Sequence, residues 1–144
     1  MSTRVLFVCI HNSARSQMAE ELLRKYGNGL FETESAGIEP GKLNPFVVQV
    51  LKEEEAIDIT GKATQSVAQI LESGKQYDYV VTVCDETSAE RCPVFPGDVK
   101  RLHWGFEDPS SVAGGDEEKL AVARQVKAQI KTKIEEWVGV IARK

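Results

Sequence analysis

Val5-Leu6-Phe7-Val8-Cys9, then Ile10-His11-Asn12-Ser13-Ala14, then Arg15-Ser16-Gln17-Met18-Ala19-Glu20 is the stretch whose reading decides the fold. Its first five residues are apolar without alternation, the pattern of a strand covered on both faces in a parallel sheet. The next five make a short loop. From Arg15 onward Met18, Ala19, Leu22, Leu23 and Tyr26 recur at helical spacing, and Gly27 supplies a C-terminal stop. Strand, loop and helix in this order place Cys9 at the carboxyl end of a strand, where parallel α/β sheets bind their ligands.

Outward from this unit the alternation continues. Phe31 to Ser35 reads as a second strand closed by Gly37, and Pro40-Gly41 marks a turn before Asn44 caps and Pro45 opens a helix carrying Phe46, Val47, Val50 and Leu51 on one side. After a turn at Gly61, Val67, Ile70 and Leu71 predict a short helix ending near Gly74. Tyr79 to Val83 reads as a buried strand and Val99 to Trp104 as a fourth. Leu120, Ala123, Val126, Ile130, Ile134, Trp137, Val138 and Ile141 predict a long amphipathic helix. The fold class is therefore α/β, a four-stranded parallel sheet with helices on both faces. Glu53-Glu54-Glu55 reads as a solvated helix face.

The 144 residues suit a single domain, 1–144. Such a chain can bury roughly 70% of its unfolded surface, so its core needs neither disulfides nor a structural metal. With 42% hydrophobic and 28% charged residues it is neither disordered nor fibrous. Eighteen basic against 22 acidic residues give a net charge of −4, the wrong sign for neutralising nucleic-acid phosphates. No apolar run approaches the ~20 residues that cross a bilayer, and no signal-peptide core follows Met1, so a cytoplasmic protein without a membrane partner is expected. No long apolar edge calls for a second subunit, and a monomer is expected. The three cysteines, Cys9, Cys84 and Cys92, are odd in number and in a reducing compartment are reactive or metal-binding thiols rather than a disulfide framework.

The loop Ile10, His11, Asn12, Ser13, Ala14 is short enough to turn successive backbone N–H groups inward as an anion-binding nest. It lacks glycine, so Asn12, tolerant of a left-handed conformation, is the candidate for the sharp turn. Arg15 in the first helical turn can fork two donors onto two oxygens of a tetrahedral oxyanion. The helix N-terminus and the guanidinium also favour the thiolate of Cys9. His11 reads as a residue at the pocket mouth rather than a ligand.

Cys9-x5-Arg15-Ser16 between a strand and a helix, with Asn12 and Ser13 inside, resembles the low-molecular-weight tyrosine phosphatase loop. Phosphatases of that family carry a late Asp-Pro followed by tyrosine, whereas here Asp108-Pro109 is followed by Ser110. His103-Trp104-Gly105-Phe106 leading into Asp108-Pro109, with Asn12-Ser13-x-Arg15-Ser16-Gln17-Met18-Ala19-Glu20 and Cys84 at the end of the third strand, is similar to the thioredoxin-coupled arsenate reductases over nearly the whole chain. The resemblance implies that Cys9 is the nucleophile on arsenate, that Arg15 and the loop amides hold the oxyanion, that Ser16 hydrogen-bonds the thiolate and that Asp108 protonates the departing hydroxide. It implies that Cys84 attacks the arsenylated Cys9, and that Cys92 then takes over to leave a Cys84 to Cys92 disulfide for thioredoxin. Two thiols supply the two electrons, and a third can carry the oxidation to an accessible surface.

The chain departs from this family pattern in the seven residues between Cys84 and Cys92, one more than usual, and in Ala14. Asp85 to Arg91 are polar and small, and residues 85–95 are expected to loop outward when Cys84 bonds to Cys92. The resemblance implies no cofactor beyond a potassium ion held in some members by an asparagine, a glutamate, a serine and an aspartate. Asn12, Glu20 and Ser35 match, and Gln65 stands where the aspartate would align. A phosphatase for phosphotyrosine or a small phosphoester, and a non-enzymatic thiolate module binding zinc or arsenite, are the competing readings. Neither cysteine spacing makes a zinc knuckle.

Overall fold

The computed structural model describes residues 3–12, 14–27, 29–83, 99–106, 109 and 113–142. Its centre is β1 (Thr3–Cys9), which pairs in parallel with β2 (Phe31–Gly37) on one side and with β3 (Tyr79–Thr82) on the other; β4 (Lys100–His103) lies beyond β3. The sheet order is β2-β1-β3-β4. The helices are α1 (Arg15–Tyr26), α2 (Pro45–Glu55), α3 (Val67–Glu72) and α4 (Asp116–Ala142).

The missing alternation in β1 has a direct cause. Val5, Phe7 and Cys9 enter a large core shared with α1, α2 and α4, while Leu6 and Val8 enter a smaller one with Val67 and Ile70 of α3. Both faces are covered from Val5 to Cys9, so no position in that stretch can be polar without cost. Each Val, Leu or Phe buried this way contributes roughly 1.5–3 kcal/mol, which makes this strand the anchor of the sheet and fixes where Cys9 ends up.

Local signals set the helix ends. Asn44 Oδ1 accepts from the Phe46 amide at 2.8 Å, with Pro45 in the first turn of α2. Ser66 and Gln69 cap α3 reciprocally. Strand β2 runs past Ser35 to Gly37, while β3 stops at Thr82 and β4 spans only Lys100–His103. Helix α4 starts at Asp116, where Asp116, Glu117 and Glu118 in the first turn complement the positive end of its dipole. Gly27 follows α1 at φ −83°, outside the left-handed region. It is needed for space: a Cβ there would lie 2.5 Å from the Leu23 carbonyl oxygen and 2.7 Å from the Phe31 ring.

One expectation is corrected. Glu55 does not share a solvated face with Glu53 but is buried, with Oε2 2.7 Å from Lys127 Nζ, Oε1 2.9 Å from Lys25 Nζ, and the Tyr26 hydroxyl donating to Oε1 as well. Burial alone would raise its pKa, but the hydrogen bonds from Lys127, Tyr26 and Lys25 outweigh it and hold the carboxyl down at about 2. The carboxylate thus ties α2 to α1 and α4. Among the described residues no helix is long and apolar enough to cross a membrane.

Candidate active site

At the end of β1 the chain turns through the Cys9–Arg15 loop, and a neighbouring segment fixes which way its peptides face. The amides of Ile38, Glu39 and Gly41 donate to the carbonyls of Cys9 (3.1 Å), Ile10 (2.7 Å) and His11 (2.9 Å). In a trans peptide the N–H points opposite to the C=O, so with these three carbonyls turned toward residues 38–41 the amides of Ile10, His11 and Asn12 face the other way, into the loop. The Asn12 amide shows it, donating to Cys9 Sγ at 3.1 Å. This is the geometry of an anion nest.

Asn12 is the hub. It sits at φ 54°, in the left-handed region that asparagine tolerates. Its Nδ2 donates to Ser16 Oγ and to Ser35 Oγ, both at 2.9 Å, and its Oδ1 accepts from Gln17 Nε2 at 3.1 Å and from the Gln65 amide at 3.0 Å. Because Ser16 Oγ already accepts from Asn12, its own hydrogen is available for Cys9 Sγ, 2.8 Å away. With that hydrogen turned to Sγ, the Ser16 hydroxyl and the Asn12 amide both direct donors at a buried sulfur.

Arg15 opens α1, 5% exposed, and its Nη1 donates to the Phe106 carbonyl at 3.1 Å. That carbonyl belongs to the segment after β4, anchored by Trp104, whose ring packs against Phe7 and Trp137. Among the described residues no side chain caps the start of α1 and no acidic residue lies in its first turn, so the positive end of the helix is left to an incoming anion. His11 is exposed and its Nδ1 donates to the Glu39 carbonyl at 2.9 Å, consistent with a place at the mouth.

The structure thus brings together Cys9, Ile10, His11, Asn12, Ala14, Arg15 and Ser16. Ser13, Cys84, Cys92, Asp108 and residues 85–95 lie outside the described residues. Three participants escape a reading of the sequence. Gln17, fully buried, donates from Nε2 to both the backbone and side-chain oxygens of Asn12, while its Oε1 is buried without a hydrogen-bond partner among the described residues. Gly37 lies so close to the loop that a Cβ would stand 2.7 Å from the Asn12 amide nitrogen. Lys62 forms a 2.9 Å ion pair with Glu20. A lone glycine directly after a strand was the one usable signal for any of these.

Glu20 and Ser35 do join Asn12: Ser35 Oγ accepts from Asn12 and donates to Glu20 Oε1 at 2.6 Å. Glu20 Oε2, however, is taken by Lys62 Nζ at 2.9 Å and by Arg24 Nη2 at 2.7 Å. Both lone pairs of Asn12 Oδ1 are used, and Gln65, where an acidic ligand would align, donates its Nε2 to the Ser35 carbonyl at 2.7 Å. Potassium needs several oxygen lone pairs free to face it, and this set does not fit the ion.

Residues 4–144 match the low molecular weight phosphotyrosine protein phosphatase family. The arsenate reductase of Halalkalibacterium halodurans is 42% identical over 90% of this chain and 91% of its own length. The crystal structure of the arsenate reductase from Archaeoglobus fulgidus superposes with a TM-score of 0.72 at 32% identity, covering 94% of this chain and 98% of that one. A thioredoxin-dependent arsenate reductase of Corynebacterium glutamicum aligns at 25% identity with a TM-score of 0.71, over 98% of this chain and 62% of that one. The loop around Cys9, the sheet behind it and these relatives agree: the chain belongs to the low molecular weight phosphotyrosine protein phosphatase family, on the side of that family formed by the arsenate reductases.

Proposed function

We propose that this enzyme reduces arsenate to arsenite, with Cys9 as nucleophile and the oxidation carried away through Cys84 and Cys92 to thioredoxin. The observation that carries the reading is the convergence of the Asn12 amide and the Ser16 hydroxyl on Cys9 Sγ inside a loop whose amides face inward. A tetrahedral oxyanion placed there meets N–H donors on one side and the Arg15 guanidinium on the other, while the sulfur faces its central atom.

The Cys9 thiolate attacks arsenic and a hydroxide departs, protonated to water by Asp108. Cys84, as thiolate, then attacks Cys9 Sγ. The S–S bond forms as the S–As bond breaks, and the bonding pair stays on arsenic, which leaves as arsenite in the +3 state. Two sulfurs have each given one electron. Cys92 next attacks Cys84, freeing the Cys9 thiolate, and the dithiol of thioredoxin reduces the Cys84 to Cys92 disulfide. The thioredoxin-dependent relative supports this choice of reductant, and the reducing environment that thioredoxin needs accords with a cytoplasmic protein.

The test is steady-state arsenite production from arsenate with thioredoxin, its reductase and NADPH, against the same mixture lacking thioredoxin. Turnover that requires thioredoxin supports the reading. Hydrolysis of an aryl phosphate with no arsenite formed would instead make the chain a phosphatase.

A further inference from the structure

Four charged side chains stand behind the Cys9 loop. Glu20 and Glu21 of α1 face Arg24, one turn on, and Lys62 from the turn after α2, with Lys62 Nζ 2.9 Å from Glu20 Oε2 and 3.0 Å from Glu21 Oε1, and Arg24 at 2.7 and 2.8 Å from the same two oxygens. Two negative charges meet two positive ones, so the cluster is balanced without any added ion. It is also wired to the sulfur: Glu20 Oε1 accepts from Ser35, Ser35 accepts from Asn12, and Asn12 holds Ser16 and donates to Cys9.

Lys62 is delivered to this place by its backbone. Asp58 Oδ1 accepts from the Thr60 amide at 2.9 Å, Gly61 takes φ 79°, and the Lys62 amide returns to the Ile59 carbonyl at 2.9 Å, with Ile59 buried in the core. Glycine at positive φ in the third position of a four-residue turn is the requirement of a type II turn. The Lys62 side chain is 27% exposed against 52% for Arg24, whose contacts with Glu20 and Glu21 are within one helix. Solvent screens Arg24 more, and such pairs are worth little. A tethered ammonium acts at an effective concentration in the millimolar range or above, which an ion from solution must displace.

We propose that Lys62 is the resident counter-ion of the Cys9 loop: its ammonium, fixed by the Ile59–Lys62 turn, neutralises Glu20 and holds the Ser35–Asn12–Ser16 chain in place without any dissolved monovalent cation. Lys62 is a positioning residue, acting through Glu20. The proposal rests on Cys9 being the reacting thiol.

The test is alkylation of reduced full-length protein with iodoacetamide, following the Cys9-containing peptide by mass spectrometry in potassium, sodium and tetramethylammonium chloride at equal ionic strength. Wild-type protein should react at one rate in all three salts; specific acceleration by potassium overturns the proposal and needs no variant. Lys62→Gln should slow Cys9 alkylation by about threefold or more, the scale of effects relayed through a packed network, and Lys62→Arg should restore it. A lowered melting temperature in Lys62→Gln with an unchanged Cys9 rate would make Lys62 merely structural and also overturns the proposal. Alkylation uses neither arsenate nor thioredoxin, so a chain that fails to reduce arsenate but passes this test refutes the proposed reaction and leaves the role of Lys62 standing.

Discussion

Gln17 Nε2 reaches two oxygens of one residue, the backbone carbonyl of Asn12 at 3.0 Å and its side-chain Oδ1 at 3.1 Å. This clamp crosses from the second residue past Arg15 back into the loop, and it explains how a non-glycine residue is held at positive φ beside the sulfur. The donors could not be swapped for Oε1, which has no partner among the described residues, because that would set oxygen against oxygen.

Gln17→Leu should leave two buried oxygens of Asn12 short of a donor, costing about 1–3 kcal/mol of stability. Arsenite production should fall roughly tenfold in kcat with the circular dichroism spectrum unchanged. Gln17→Glu should do worse, because a carboxylate faces the same oxygens. Native kcat in Gln17→Leu would show that the loop keeps its shape unaided.

Gly37→Ala forces a Cβ to within 2.7 Å of the Asn12 nitrogen and 2.8 Å of the Ile10 carbonyl oxygen. Those are backbone atoms and cannot rotate away, so the loop itself must move. We expect a loss of roughly 1–3 kcal/mol in urea unfolding together with a fall in Cys9 alkylation, and full retention of both would mean that residues 37–41 do not template the loop.

Arg15→Lys keeps the charge but loses the planar fork. A single ammonium cannot hold the Phe106 carbonyl, 3.1 Å from Nη1, and also present two parallel donors to an oxyanion. A drop of roughly 100-fold in kcat/KM for arsenate is expected; a change below threefold would remove Arg15 from oxyanion binding.

Cys92→Ser should release about one arsenite per enzyme and trap a Cys9 to Cys84 disulfide, whereas Cys84→Ser should stop as an arsenylated protein. Intact-mass spectrometry after one turnover distinguishes the two. Normal turnover of Cys92→Ser with thioredoxin would break the proposed order.

Glu55 gives the pH prediction. Its carboxyl titrates at about 2 in the folded protein, below its ordinary value of 4.5. A depressed acid binds its proton less readily when folded, so its stabilisation is complete above the unfolded value and is lost as pH falls from about 4.5 through about 2. Glu55→Gln leaves Lys127 buried without that partner and should cost roughly 3 kcal/mol near neutrality. The wild-type and Glu55→Gln unfolding midpoints should converge as pH is lowered toward 2; a gap that stays constant would show that Glu55 contributes through packing rather than charge.

The amino-acid sequence alone determined the order of strands and helices, the cap at Asn44, the place of Cys9 at a strand end and the turn at Asn12. Each of these depends on neighbours a few residues away, through hydrophobic period, backbone preference and side-chain capping. The candidate oxyanion loop was legible for the same reason, since Cys9, the loop and Arg15 are contiguous, whereas the arsenate reductase reading rested on the resemblance carried by residues 12–20, 103–109 and Cys84. Tertiary structure alone decided the rest. Glu55 reads as solvated until α4 carries Lys127 to it from 72 positions away. The potassium set already lacks its aspartate in the sequence, where Gln65 stands instead, but that Lys62 occupies Glu20 shows only once the turn after α2 is folded. Gly37 and Gln17 look ordinary until the parallel register places Cys9 opposite Gly37 and folds the loop over both. Charge balance and atomic clearance at a site are sums over everything packed against it, and no local stretch of chain contains those terms.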